Sequence, residues 1–153
     1  MYDSHSQEFE FSKVNLKAGV GYWQFSFGPS LTVMGDLKVI ENISVGIQAG
    51  QSYPELFINS WKTTMSFILG RTAYHMTELL NKNENMPKGF DSYIGLSLGV
   101  ITGKTKFSNY NFKGGTEIIF RPYLGFEFNS EKNIGYFLEL GIPVTYLGVS
   151  IKL

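Results

Sequence analysis

The sequence predicts an all-β fold, an eight-stranded antiparallel up-and-down β-barrel. Three observations carry that reading. Eight segments alternate bulky apolar residues with small or polar ones at a period of two, the mark of strands with two unlike faces. The strand count is even, so an up-and-down order can close on itself and leave no free edge. The second face is rich in glycine, of which the chain has 17, where a water-facing strand would carry Lys, Glu or Thr.

The first segment, "VNLKAGVGYW", sets Val14, Leu16, Ala18, Val20 and Tyr22 against Asn15, Lys17, Gly19 and Gly21. The second, about 27–39, opposes Pro29, Leu31, Val33, Leu37 and Val39 to Gly28, Ser30, Thr32, Met34 and Asp36, and a tight turn follows at Glu41-Asn42. The third sets Val45, Ile47 and Ala49 against Ser44, Gly46, Gln48 and Gly50. The fourth, about 61–76, changes phase. Trp61, Met65, Phe67 and Leu69 form its apolar set at first, then Ile68, Thr72 and Tyr74, so a bulge is expected near Ile68 to Gly70. The fifth is "YIGLSLGVITG", with Ile94, Leu96, Leu98 and Val100 opposite Gly95, Ser97 and Gly99. In the sixth, Ile118, Phe120, Leu124, Phe126 and Phe128 oppose Glu117, Arg121, Tyr123, Gly125 and Glu127, and Pro122 predicts a local distortion. The seventh opposes Ile134, Tyr136, Leu138 and Leu140 to Gly135, Phe137, Glu139 and Gly141; the eighth opposes Leu147, Val149, Ile151 and Leu153 to Tyr146, Gly148, Ser150 and Lys152. Helical periodicity is absent, beyond one turn at most in "TELLNK". Residues 1–8 read as a polar tail and 9–153 as the barrel.

Composition narrows the function. A chain of 153 residues makes one domain, and its zero net charge argues against a nucleic-acid partner. Charged residues are 17%, below the roughly 25% of soluble domains. With no Cys there is no disulfide, thiolate metal site or Cys nucleophile. No apolar run is long enough for a transmembrane helix, but the mean hydropathy of −0.04 cannot test for spanning strands, whose two faces cancel. The start, "MYDSHSQEFEFSK", is polar and acidic, so it is not a signal peptide; either the protein stays in the cytoplasm, or this is a mature chain whose signal peptide has been removed.

An eight-stranded barrel has an interior only wide enough for side chains. Glycine and serine suit that interior. The long side chains sharing their face predict a mixed-charge lumen network of Lys17, Asp36, Glu117, Arg121, Glu127, Glu139 and Lys152, with Gln48 beside it. The bulky apolar face then turns outward to lipid, which makes the barrel transmembrane. Aromatic residues are expected in two interfacial belts: Tyr22, Trp23, Phe25, Phe27, Phe57 and Trp61 at one end, and Tyr74, Phe126, Phe128 and Tyr136 at the other.

In strand number, short turns and Gly/Ser-rich interior the chain resembles the small outer-membrane barrels of Gram-negative bacteria, the OmpX-like and OmpA-transmembrane-like group. "VIENISVGIQAG", "AYHM" and "YIGLSLGV" resemble Bacteroidetes-type outer-membrane barrel domains. The resemblance implies residence in the bacterial outer membrane among its lipids. It also implies a C-terminal signal for the assembly machinery, which Gly148, Ile151 and Leu153 match in spacing, with Leu153 in place of the usual aromatic.

No catalytic site, cofactor or metal is expected. Some barrels of this kind modify lipid with a His and a Ser two residues apart and an acidic partner. "YHMTE" offers His75, Thr77 and Glu78, with threonine in the serine position, and His75 reads as an interfacial histidine. Gly21-Tyr22-Trp23 resembles the Gly-x-Trp of lipocalins, which keeps a soluble ligand-binding barrel as the alternative. The leading expectation is a structural or binding role, as an accessory subunit or contact surface of an outer-membrane assembly. Its loop residues Tyr53, Phe57, Phe107, Tyr110 and Phe112 would meet a protein partner.

Overall fold

The computed structural model describes residues 14–23, 28–53, 64–77, 87, 89–103, 115–130 and 133–153. The strands are β1 Val14–Trp23, β2 Gly28–Ile40, β3 Ile43–Ser52, β4 Met65–His75, β5 Phe90–Gly103, β6 Gly115–Asn129, β7 Ile134–Gly141 and β8 Val144–Lys152. Each pairs antiparallel with the next, and β8 pairs back onto β1 from Asn15↔Lys152 to Trp23↔Val144, so the barrel closes in chain order. The connections after β1, β3, β5 and β7 lie at one end, the loop end. Those after β2, β4 and β6 lie at the other, the turn end, with Val14 and Leu153.

The predicted alternation sets the two surfaces. Leu16, Val20, Leu31, Val33, Ile47, Leu98, Leu140 and Val149 are exposed, whereas Lys17, Thr32, Gln48, Ser97, Glu139 and Ser150 are buried. Two lumen glycines show why small residues were needed. A Cβ on Gly125 would enter the Tyr93 ring, and one on Gly148 would meet Gly19 Cα at 2.5 Å across the closing β1–β8 seam.

Three expectations change. β4 has no bulge: its ladder to β3 runs unbroken from Ile43↔Tyr74 to Ser52↔Met65. Phe67 and Leu69 point inward, 2% and 1% exposed, and Ile68 points out at 64%. The apparent phase change came from apolar residues that fill the lumen. The one register shift among the described β2–β3 pairs lies between Lys38 and Ile40, beside the Glu41-Asn42 turn. Pro122 does not break its ladder to β5, where Leu96↔Pro122 sits in continuous register. Its carbonyl accepts the Ile142 N–H at 3.3 Å, so its missing N–H falls where β7 gives out. Finally, Trp23 is no belt residue. It is 1% exposed and packs edge-on to Phe67 inside the lumen, ring centroids 5.7 Å apart. Tyr22, Tyr74, Phe128 and Tyr136 do face outward, while Phe25, Phe27, Phe57 and Trp61 lie outside the described residues.

The rim at the loop end is stepped. β5 and β6 have 14 and 15 residues, β7 and β8 only 8 and 9. Pairing of β6 with β7 stops at Tyr123↔Gly141, so residues 115–121 of β6 pair with β5 alone among the described residues. A short turn through Ile142 and Pro143, joined by a cis peptide, connects β7 to β8.

Candidate functional site

The lumen is filled, in two chemically different halves. Toward the loop end Trp23, Phe67, Leu69, Ile101, Val144 and Tyr146 form an apolar cluster with Met34 and Phe137, packed further by Met65 and Ile119. The uniformly polar interior expected from the Gly/Ser face is therefore half right. Ring and aliphatic side chains occupy the space that glycines on neighbouring strands leave open.

Toward the turn end lies a chain of alternating charges. Arg121 Nη1 donates to Glu139 Oε2 at 3.1 Å, and Arg71 Nη2 donates to Glu139 Oε1 at 2.5 Å. Arg71 Nε lies 2.9 Å from Asp36, Lys17 Nζ lies 3.6 Å from Asp36 and 3.1 Å from Glu127, and Lys152 Nζ lies 3.7 Å from Glu127. Hydroxyls and an amide complete the carboxylates. Tyr93 O–H donates to Glu139 at 2.9 Å and accepts from Lys17 at 2.8 Å; Ser150 and Asn15 donate to Glu127 at 3.0 and 3.0–3.1 Å. The Arg71 and Arg121 guanidiniums each lie 4.8 Å from the Tyr123 ring centroid, one on each arm of the Glu139 junction. Three buried cations, Lys17, Arg71 and Arg121, thus face three buried anions, Asp36, Glu127 and Glu139, with Lys152 partly exposed at the mouth. Buried charges persist only when paired and hydrogen-bonded in this way.

Six of the seven predicted lumen residues belong to this chain. Glu117 does not. It shares their face of β6 but stands on the stretch above the end of β7, where no strand among the described residues pairs with that edge, and it is exposed. Arg71 is not among those seven, although it bridges Asp36 and Glu139. Its signal was the inward parity of β4, hidden by the misread phase of Phe67 and Leu69.

His75 heads a separate cluster at the turn end. Its Nδ1 lies 2.6 Å from Asp91 Oδ2, its Nε2 lies 2.9 Å from Ser44 Oγ, and Thr77 Oγ1 donates to Asp91 Oδ1. Thr77 therefore holds the acid and does not touch the imidazole in the role a serine was expected to play; Glu78 lies outside the described residues. Among the described residues no group of three or more His, Cys, Asp or Glu could hold a metal ion.

Of the predicted loop contacts, Tyr53 caps β3. Its N–H donates to the Pro29 carbonyl at 2.7 Å and its O–H to Gln51 at 2.8 Å. Phe57, Phe107, Tyr110 and Phe112 lie outside the described residues. In the C-terminal strand Gly148 faces the lumen, and Ile151 and Leu153 are exposed on the outer wall. Two hollows, of about 990 and 780 Å³, are lined largely by outer-wall residues such as Ala18, Val33 and Ile68, or Tyr74, Ile94 and Leu124.

No protein-family profile matches the sequence, and no curated protein matches it. Solved structures do. The N-terminal β-barrel domain of Pseudomonas aeruginosa OprF superposes with a TM-score of 0.63 at 11% identity, over 94% of this chain and 98% of that one. Neisserial surface protein A gives 0.60 at 14% identity, over 92% and 96%. Ail, the attachment invasion locus protein of Yersinia pestis, gives 0.56 at 9% identity, over 94% and 99%. The chain has the fold of the small eight-stranded outer-membrane β-barrels.

Proposed function

We propose that this chain is an integral outer-membrane barrel whose principal role is non-catalytic, as a structural or binding element that acts by contact within an outer-membrane assembly. One observation supports it above the others. No outward-facing strand position among the described residues carries Asp, Glu, Lys or Arg, and bulky apolar side chains stand exposed on all eight strands. A wall of that kind is unsuited to water and suited to hydrocarbon. The 8 to 15 residues of its strands bracket the roughly 9–11 that a tilted strand needs to cross a bilayer.

A lipocalin-like role finds no support. Such a barrel needs a hollow apolar interior and a solvated wall, and here the interior is packed with ring clusters and ion pairs. The same filling argues against conduction. What remains for a contact role is the outer wall and the loop end, where the aromatic-rich connections lie in sequence. The C-terminal Gly148, Ile151 and Leu153 would serve recognition by the assembly machinery.

Two experiments test the reading. The native protein should stay in the membrane through a carbonate wash and run at different positions in cold and heated detergent gels; recovery as a detergent-free monomer would overturn it. Replacing Phe57, Tyr110 and Phe112 together by Ser should leave that gel shift intact and release protein partners that co-purify from native membranes. Retention of every partner at the wild-type level would move the contact surface to the outer wall.

A further inference from the structure

The cluster at the turn end goes beyond that contact role. Ser44, His75 and Asp91 sit on the consecutive strands β3, β4 and β5, all turned toward the lumen at its mouth. Asp91 Oδ2 lies 2.6 Å from Nδ1 of His75. A carboxylate can only accept there, so it holds the proton on Nδ1 and leaves the Nε2 lone pair free in the neutral ring. Ser44 Oγ lies 2.9 Å from that Nε2, within donating distance. Thr77 fixes the other carboxylate oxygen, and the Tyr93 ring, centroid 5.3 Å away, covers one side of the imidazole. The backbone of the nucleophile is held too, because Thr72 Oγ1 donates to the Ser44 carbonyl at 3.2 Å. Nucleophile to base to orienting acid is the connectivity that activates a serine on unrelated folds, recognised by geometry and not by chain order.

We propose that Ser44 is a reactive nucleophile toward carboxylic esters with small acyl groups, with His75 its general base and Asp91 the residue that positions His75. Small acyl groups follow from access. Ser44 is 5% exposed, and the side chains of His75 and Asp91 are 18% and 15% exposed at the rim, so the approach is narrow. In the forward step the Ser44 hydroxyl proton passes to Nε2 as Oγ bonds to the ester carbonyl carbon. The carbon–alkoxide bond then breaks, and the leaving alcohol takes the proton from Nε2. Water reverses the sequence. Its proton goes to Nε2, its oxygen bonds to the acyl carbon, and Ser44 Oγ leaves with the proton, releasing the acid.

The test uses the full chain folded in detergent micelles. It is treated separately with p-nitrophenyl acetate and with a fluorophosphonate, and the adduct is located by peptide mass spectrometry. Ser44 should be modified first, ahead of the exposed Ser130, and heat unfolding should erase that preference. Ser44→Ala should remove the adduct. His75→Gln, which keeps a polar side chain at the rim, should slow it by about a hundredfold or more while the cold-gel shift is retained. Modification of Ser44 no faster than Ser130 in the folded wild-type chain would overturn the proposal, with no variant needed. So would an unchanged rate in folded His75→Gln, which would leave the cluster as a staple across three strands.

Discussion

Glu139 accepts from Arg71, Arg121 and Tyr93 while fully buried, so it joins more of the lumen than any single strand contact does. Breaking such a junction strands charge in a place water cannot reach. Arg121→Met should destabilise the barrel by about 3–5 kcal/mol, measured by urea unfolding in lipid vesicles, because Glu139 keeps only one guanidinium. Glu139→Leu should be worse, since Arg121 then loses its carboxylate partner and Arg71 keeps only Asp36. Glycines divide in the same way by what surrounds them. Gly125→Ala drives a methyl into Tyr93 and should lower the unfolding midpoint. Gly70 faces outward with only the Leu98 carbonyl near, at 3.7 Å, so Gly70→Ala should leave the midpoint unchanged or raise it. At this scale the sequence was readable for Lys17, Asp36, Arg121, Glu127, Glu139 and Lys152, long charged residues on a glycine-bearing face, and misleading for Glu117, which shares that face beyond the end of β7. The Ser44–His75–Asp91 cluster was not readable. Its members come from three strands, and only the register, Ser44↔Ala73 and His75↔Tyr93, brings them together.

Alternation identified all eight elements because in seven of them the outward face is largely apolar and the inward face carries mostly small or polar residues. β4 is the instructive exception. Phe67 and Leu69 are as apolar as any wall residue, and no pattern within one strand says that apolar bulk is facing a lumen. The information sits on other strands, in Trp23, Ile101 and Tyr146, which complete the cluster around them. Pro122 keeps its place in the ladder for a related reason. Its effect depends on where β7 ends, and that is a property of the neighbouring strand. The stretch it borders makes a prediction of its own. Pro122 directs its carbonyl to the β7 side, so Thr116, Ile118 and Phe120 direct their N–H groups to that side as well, above the end of β7, while Glu117, Ile119 and Arg121 direct theirs to β5. Amide hydrogen exchange followed by NMR should therefore alternate along residues 116–121, fast at even positions and protected at odd ones. Uniform protection would mean that another strand covers this edge.

The whole molecule separates an apolar wall from a charged interior, and a single arginine can report on that separation. Ile47 is 70% exposed midway along β3. Ile47→Arg should cost about 2–4 kcal/mol when unfolding is measured in vesicles, the depth-dependent penalty of a lipid-facing charge. A wall bathed in water would accept the same change within about 0.5 kcal/mol. Planar bilayers holding the purified protein should show no large steady conductance, since both lumen halves are occupied by side chains.

The unequal halves of the lumen also decide where a voltage would fall. An applied potential drops across low-dielectric material and hardly at all across water. Solvent meets the charged chain at the turn-end mouth through Lys152, whose side chain is 27% exposed, whereas the layer of Trp23, Phe67, Leu69 and Tyr146 excludes it from the loop end. The drop therefore spans that apolar layer and the buried ion pairs beside it, Arg121 and Glu139 included, and only the end of the chain near Lys152 sits close to the potential of the turn-end compartment. A charge carried across the full drop gains roughly 2.3 kcal/mol per 100 mV. Charges that are paired and packed in place cross none of it, so the barrel should answer a voltage step as a capacitor does, without a gating current.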